Sequence, residues 1–185
     1  MQFTWAKPCP DVSPMWELQP AIIRRWYAAY TLPRHEKAVA EQLQMKDIES
    51  FVPLYLAVHN WKGRRAQVQL PLFPGYVFVN LPLSLRVKVL EQPSVLRIVS
   101  FNGAPAAIPD EQMENLRRAV SLRRAQPYPY TGPGKRIRIQ SGPLTGLEGK
   151  VVRRKGNTRL VISLDAVHRS FIVDLDISDL AIAAD

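Results

Sequence analysis

The side chains of this sequence that are best suited to chemistry are the cations that bind phosphate. Lysine and arginine number 25 against 16 aspartate and glutamate residues, and the formal net charge is +9. This excess is spread over the whole chain, which favours extended contact with a polyanion such as nucleic acid. Lys62, Arg64 and Arg65 cluster in one turn, and Arg34 opens a helical pattern. We expect these four cations to contact a nucleic acid strand or its phosphates, which carry no base information; the alternative is that they are solvated surface charges.

The same search for reactive groups excludes most enzyme classes. His35, His59 and His168 are far apart and have no partner at a spacing that would hold a metal or activate a nucleophile. Cys9 is the single cysteine, so neither an internal disulfide nor a cysteine metal site can form. No glycine-rich loop that could bind a phosphate is present. We therefore predict a protein without catalytic residues, metal or cofactor.

Three aromatic rings lie around one tight corner. Phe73 precedes the pair Pro74 and Gly75, and Tyr76 and Phe78 follow it in a short apolar run. Proline fixes one backbone dihedral and glycine permits positive φ, so the chain can turn sharply here and enter a sheet. Such a corner can present a ring at a surface; the alternative is that all three rings are ordinary core.

The elements that position these residues alternate between strands and helices. Ile22 to Tyr30 predicts a buried strand, and Pro33 to Lys46 predicts an amphipathic helix. Later strands are predicted at Phe51 to Val58, Ala66 to Leu70, Tyr76 to Asn80 and Val95 to Phe101, with a short helix containing Leu85, Val89 and Leu90 before the last of them. This order favours an antiparallel sheet with these two helices on one face, a split βαβ arrangement. A last helix is predicted after Pro109.

A segment rich in proline and glycine divides the chain. Residues 123–134 contain three prolines and two glycines, so we expect neither helix nor sheet there. We assign residues 21–122 to a first unit, 123–133 to a linker and 134–185 to a second unit. Alternating apolar residues, such as Leu160, Ile162 and Leu164, predict that the second unit is a small all-β barrel. The fold class is therefore α+β.

The first twenty residues read as a leader. Four prolines interrupt residues 1–20, and no unbroken apolar segment suits a signal peptide or a membrane anchor. We expect a disordered leader, although Trp5 and Trp16 are unusual in such a segment and could fold back onto a surface. A cytoplasmic protein without a membrane partner follows as the default expectation.

These motifs together resemble the bacterial NusG family of transcription elongation factors. The first unit is similar to the family's N-terminal (NGN) domain at Trp26-Tyr27, at Glu36 and over Leu72 to Val79. The second unit is similar to a KOW domain, an SH3-like barrel, at Gly134, at the Ile137 and Ile139 alternation and over Ser141 to Gly149. The resemblance covers the chain from about Ile22 to Leu180.

The resemblance implies a protein that binds RNA polymerase and modulates pausing and termination. In the family, an apolar patch of the NGN domain docks on the polymerase clamp, and the matching positions here are Tyr27, Phe73, Pro74 and Tyr76. Phe78 is expected to be core. The basic residues named above would then pass near the non-template DNA strand.

The KOW domain of the family recruits a second partner, either the termination factor Rho or a small-subunit ribosomal protein. The matching loop here supplies Leu144, Thr145 and Leu147; the alternative is that Leu147 closes the barrel core. Within the family, Trp26 to Tyr30 and Pro71 to Pro74 are closer to specialised RfaH-like paralogues, which suppress termination in long operons. We expect a monomer with a stable β-barrel, because β-branched alternation disfavours helix.

Two other functions stay open at this point. One is a general NusG-like factor that couples polymerase to Rho or to the ribosome. The other is a ribosome-associated RNA-binding module, because small basic barrels also occur in ribosomal proteins. The second alternative predicts RNA affinity in the second unit without polymerase.

Overall fold

A computed structural model describes residues 23–61, 64–129, 137–139, 144–154 and 157–174. The predicted leader, with Trp5 and Trp16, lies outside the described residues. The elements of the first unit are β1 (Arg25–Thr31), α1 (Glu36–Gln44), β2 (Glu49–Phe51), β3 (Leu54–Trp61), β4 (Arg64–Pro71), β5 (Tyr76–Leu81), α2 (Arg86–Leu90), β6 (Val95–Ile98), β7 (Ser100–Phe101), β8 (Ala104–Pro105), β9 (Ala107–Ile108) and α3 (Asp110–Ser121). Among these described residues, no helix has the length and apolar character needed to cross a membrane.

The first unit is built on an antiparallel sheet with β1 at its centre. The strand order is β2-β5-β1-β6, and β9 also pairs with β1. On one side β1 pairs with β5 over its length, from Arg25 opposite Leu81 to Tyr30 opposite Tyr76. On the other side of β1, β6 pairs with the end of the strand and β9 pairs with its beginning. The corner that precedes β5 therefore lies beside the end of β1.

Helices cover both faces of this sheet. Val39 and Leu43 of α1 and Val89 of α2 pack with Val77 and Val79 on one face. Three residues of α3 pack on the opposite face, namely Met113, Leu116 and Ala119. The expectation that the first two helices share one face is confirmed for α1 and α2, and α3 covers the other face. α3 follows β9, which pairs with the beginning of β1. Its apolar stripe is buried against the side chains of β1 and β5 that face away from α1 and α2.

Strands β3 and β4 form a separate two-stranded hairpin. They pair over eight residues each, from Leu54 opposite Pro71 at the base to Trp61 opposite Arg64 at the tip. Leu56 and Val58 on β3 and Val68 on β4 are exposed apolar residues. The hairpin therefore projects from the unit rather than joining its central sheet.

The second unit consists of β10 (Ala125–Tyr128), β11 (Ile137–Arg138), β12 (Glu148–Arg154), β13 (Asn157–Leu164) and β14 (Arg169–Asp174). The strands pair in the order β10-β14-β13-β12-β11, all antiparallel. The all-β prediction is confirmed. The expectation that residues 123–134 form no sheet is wrong for Ala125–Tyr128. Because β10 is an edge strand, Pro127 can lie in it without interrupting an inner hydrogen-bond ladder.

The two units pack on each other. Buried side chains of both form one continuous cluster, in which Phe73 and Phe78 of the first unit meet Phe171 of the second. Polar contacts lie beside this cluster. Arg118 Nη1 donates to the Thr145 carbonyl at 2.5 Å, and Arg138 Nη2 lies 3.3 Å from Glu111 Oε1. The second unit therefore covers the face of the sheet that carries α3.

Candidate functional site

The predicted corner is a hydrogen-bonded turn over Phe73–Tyr76. The Tyr76 N–H donates to the Phe73 carbonyl at 3.1 Å, and Gly75 has φ of +81°. Proline followed by glycine with positive φ is the signature of a type II turn. Both polar groups of Gly75 are paired, since its carbonyl accepts from the Thr31 N–H at 2.8 Å and its N–H donates to Glu36 Oε1 at 2.7 Å.

Phe73 is not exposed at this corner. Its side chain is 1% exposed, and its ring packs edge-on against Phe78 at 5.9 Å and against Phe171 at 6.1 Å between ring centroids. The expectation that Phe73 is presented at a surface is therefore wrong for this arrangement of the two units, because the second unit buries it. Phe78 is core, as expected.

Tyr27 lies on the other side of the sheet from Phe73. It packs with the residues of α1, whereas its neighbours Trp26 and Ala28 belong to the cluster of Phe73. Successive side chains of a strand point to opposite faces, so Tyr27 cannot join the corner. The placement of Tyr27 with Phe73 in one surface patch is therefore wrong in this structure.

Tyr30, rather than Tyr27, lies at the corner. Its ring centroid lies 5.3 Å from that of Tyr76, directly across the β1–β5 pair. The guanidinium of Arg97 on β6 lies 5.5 Å from the Tyr30 ring, a cation–π geometry. Strict alternation from Trp26 along β1 would have identified Tyr30, because it shares a face with Trp26 and Ala28.

A cleft next to these rings is open to solvent. Its volume is about 610 Å³, and Tyr76, Arg97 and Phe101 line one side while the turn before β14, which includes His168, lines the other. Phe101 stands at the β7–β8 turn with 70% of its surface exposed. Pro74 is also exposed. The cleft beside the corner is thus lined by aromatic side chains together with Arg97.

The predicted phosphate-binding residues do not form one compact cluster. Arg34 is exposed, has φ of +68°, and shares a groove with Pro71 and Pro74 at the base of the hairpin. Arg65 is exposed near the hairpin tip, about 20 Å from Pro71 at the usual rise per strand residue. Lys62 lies outside the described residues. Arg64 is described by its backbone alone, opposite Trp61 in the hairpin.

The predicted partner-binding loop of the second unit is largely buried. Leu144 and Leu147 are each 0% exposed within the shared cluster, so their presentation to a partner is wrong for this arrangement. Thr145 between them is exposed, and its carbonyl accepts the hydrogen bond from Arg118. Apolar residues that flank a tight turn pack inward here because α3 and the second sheet close over them.

A charged cluster on the first unit is structural. The Arg117 guanidinium lies 4.6 Å from the Trp26 ring centroid and 5.4 Å from that of Phe51, and it pairs with Glu49 at 2.7 Å. The Arg117 hydrogen bond lowers the pKa of the Glu49 carboxyl; burial opposes this shift, and a hydrogen bond from Asn80 adds to it. This cluster ties α3 to strands β1 and β2.

The histidines do not assemble a reactive group in the described part of the chain. His35 Nδ1 lies 3.0 Å from Ser94 Oγ, at the surface. Across the described ranges, no three His, Cys, Asp or Glu side chains are placed to hold a metal ion. The described side chains at the corner offer aromatic, apolar and cationic contacts.

Comparisons with known proteins agree with this architecture. The family model described as transcription termination factor nusG matches residues 24–117. The transcription termination/antitermination protein NusG of Escherichia coli K12 is 28% identical over 173 residues, covering 85% of this chain and 95% of that protein. Its counterpart in Pasteurella multocida is 29% identical over 175 residues, covering 85% and 94%.

A solved structure supports the fold. The structure titled "Domain interaction in Thermotoga maritima NusG" matches with a TM-score of 0.50 at 22% identity, over 85% of this chain and 96% of that chain. The α+β architecture of an N-terminal sheet unit followed by a β unit is therefore the NGN–KOW arrangement. With half of its length matched by the family model, the chain belongs to the NusG family of transcription termination and antitermination factors.

Proposed function

We propose that this protein is a transcription elongation factor that binds RNA polymerase through its first unit and modulates pausing and termination without catalysing a reaction. It acts in the cytoplasm as a specialised antiterminator of long operons. The observation that carries the proposal is the cleft lined by Tyr76 and Phe101, which lies next to the Tyr30–Tyr76 ring pair and the Phe73–Tyr76 turn. Phe101 is exposed and Tyr76 is half-buried. Aromatic rings that a partner can desolvate are common anchors of a protein interface, and the polymerase clamp is the proposed partner.

The closed packing of the two units sets a condition on this binding. Phe73 is covered by Phe171, whereas Tyr76, Pro74 and Phe101 are accessible. Polymerase can therefore first engage the exposed rings, and full burial of Phe73 against polymerase requires that the second unit move away. The same movement would free Leu144 and Leu147 for Rho or for a small-subunit ribosomal protein.

Nucleic-acid contact is proposed for two separate places. Arg34 at the hairpin base and Arg65 near its tip are both exposed cations. A hairpin that projects from a polymerase-bound unit can carry Lys62, Arg64 and Arg65 to the phosphates of the non-template strand. Arg65 lies about 20 Å along β4 from Pro71, which lines the same groove as Arg34, so one extended strand would have to span both places.

A general NusG-like factor is the second candidate. The relatives from E. coli and P. multocida are called termination/antitermination proteins, and they align over nearly their whole length. In that case the freed second unit would deliver Rho, and the protein would promote release of RNA. The two candidates share the polymerase contact and differ in the sign of the effect at a terminator.

The polymerase contact is tested by Phe101→Ala in the full chain. Because Phe101 is 70% exposed, its truncation should leave the melting temperature unchanged. A ring that is desolvated at the centre of an interface contributes about 2 kcal/mol, so the Kd for core polymerase should rise about thirtyfold. Val87→Ala is the matched control, since Val87 is 53% exposed on α2 behind the opposite face. Equal affinities of both variants and the wild type would refute the proposed surface.

A further inference from the structure

The conformation of the Phe73–Tyr76 turn depends on where one peptide group points. Types I and II of a turn share the hydrogen bond between the first and fourth residues but place the central N–H on opposite sides. Here the central N–H belongs to Gly75, and it donates to the carboxylate of Glu36 at 2.7 Å. Gly75 has φ of +81°, as type II requires. The carboxylate therefore lies on the side that type II selects.

Glu36 is itself held firmly. It is the first residue of α1, and its side chain is 2% exposed. A carboxylate at the beginning of a helix is stabilised by the positive end of the helix dipole. An ionised acceptor also makes a stronger hydrogen bond with a backbone N–H than a neutral one does. The acceptor for Gly75 is thus fixed in place by α1, not by the turn.

We propose that Glu36 is a positioning residue that holds the Phe73–Tyr76 turn in its type II form and thereby orients Pro74 and Tyr76 for the partner. The inference rests on the proposed function, because it concerns the same polymerase-docking corner. Arg34 and Lys37 flank Glu36 and share the groove with Pro74. The hydrogen bond between Gly75 and Glu36 therefore links the beginning of α1 to the docking corner.

The first test measures the turn without polymerase, by NMR exchange of the Gly75 amide in the full chain. Glu36→Met removes the acceptor at similar length, Glu36→Gln keeps an acceptor oxygen, and Glu41→Met is the control on the exposed face of α1. Loss of a charge-assisted hydrogen bond should accelerate Gly75 exchange about tenfold or more in Glu36→Met. Glu36→Gln should recover most of the protection. Unchanged exchange in Glu36→Met would overturn the proposal.

The second test separates positioning from general stability. Polymerase affinity is measured for Glu36→Met, for Tyr76→Ala and for the double variant, with the melting temperature of each. If Glu36 acts through the corner, Glu36→Met weakens binding about tenfold in the wild type but has little further effect once Tyr76 is removed. Equal losses in both backgrounds would show a role that does not pass through Tyr76 and would overturn the proposal. Absence of binding by the wild type would instead refute the proposed function, and the Gly75 exchange would still decide the turn.

Discussion

The closed packing of the two units is tested most cleanly at Arg118. Its guanidinium donates across the boundary between the units to the Thr145 carbonyl, and both residues are exposed. Arg118→Ala removes this hydrogen bond without touching the shared apolar cluster. The second polar contact, Arg138 with Glu111, joins side chains that are each 61% exposed, so it adds little.

The magnitude follows from the surface position of the bond. A charge-assisted hydrogen bond is worth more than a neutral one, but solvent screens this one, so we assign about 1 kcal/mol to it. The ratio of protein with separated units to protein with packed units should then rise about fivefold. As long as the packed form dominates, the apparent polymerase affinity should rise by the same factor. Melting of each unit should change little, because the apolar cluster is intact.

The assay is single-molecule FRET between dyes on the two units. Met45 on the first unit is 78% exposed and Arg169 on the second is exposed, so both accept a labelled cysteine after Cys9 is replaced by serine. Arg118→Ala should increase the low-transfer population about fivefold. Arg86→Ala on α2 removes the same charge far from the boundary and is the control. Equal populations in Arg118→Ala and Arg86→Ala would refute the reasoning.

Two further predictions concern stability. The Arg117 hydrogen bond lowers the pKa of Glu49 in the fold, so this carboxylate stabilises the protein above its unfolded pKa and loses that effect as pH falls through the folded value. The melting temperature of Glu49→Gln should therefore fall less than that of the wild type when the pH is lowered from about 5 to about 3. An equal fall in both proteins would contradict this. Gly75→Ala should cost about 1 kcal/mol more than Gly103→Ala in urea unfolding, and equal costs would contradict the packing argument. Both glycines have positive φ, but a Cβ at Gly75 would lie 3.1 Å from Tyr30 Cε2, whereas at Gly103 nothing lies within 4 Å.

Local patterns in the sequence predicted the elements, because proline, glycine and apolar spacing act over a few residues. The corner at Pro74 and Gly75, the strand after it and α3 after Pro109 were all predictable in this way. The fate of Phe73 was not, since it depends on Phe171, which is remote in sequence. Local sequence patterns carry no information about contacts between residues so far apart in the chain. The sequence around the corner is therefore equally compatible with an exposed and with a buried ring.

Two errors have a different origin. Tyr27 was assigned to the docking patch by its matching position in the family, although alternation along β1 places Tyr30 there instead. Pro127 suggested a linker without sheet, but an edge strand tolerates proline because one side of the strand needs no partner. The first error was avoidable from period-two alternation. The second error could be avoided only with knowledge of which strand lies at the edge of the sheet.

We propose that this protein changes termination by binding polymerase. Single-round transcription with the cognate polymerase and Rho, on a template with a Rho-dependent terminator, measures this effect directly. We predict more full-length RNA with the wild type and no increase with Phe101→Ala. Earlier release of RNA by the wild type would favour the general factor, and RNA profiles identical with and without the protein would contradict the claim.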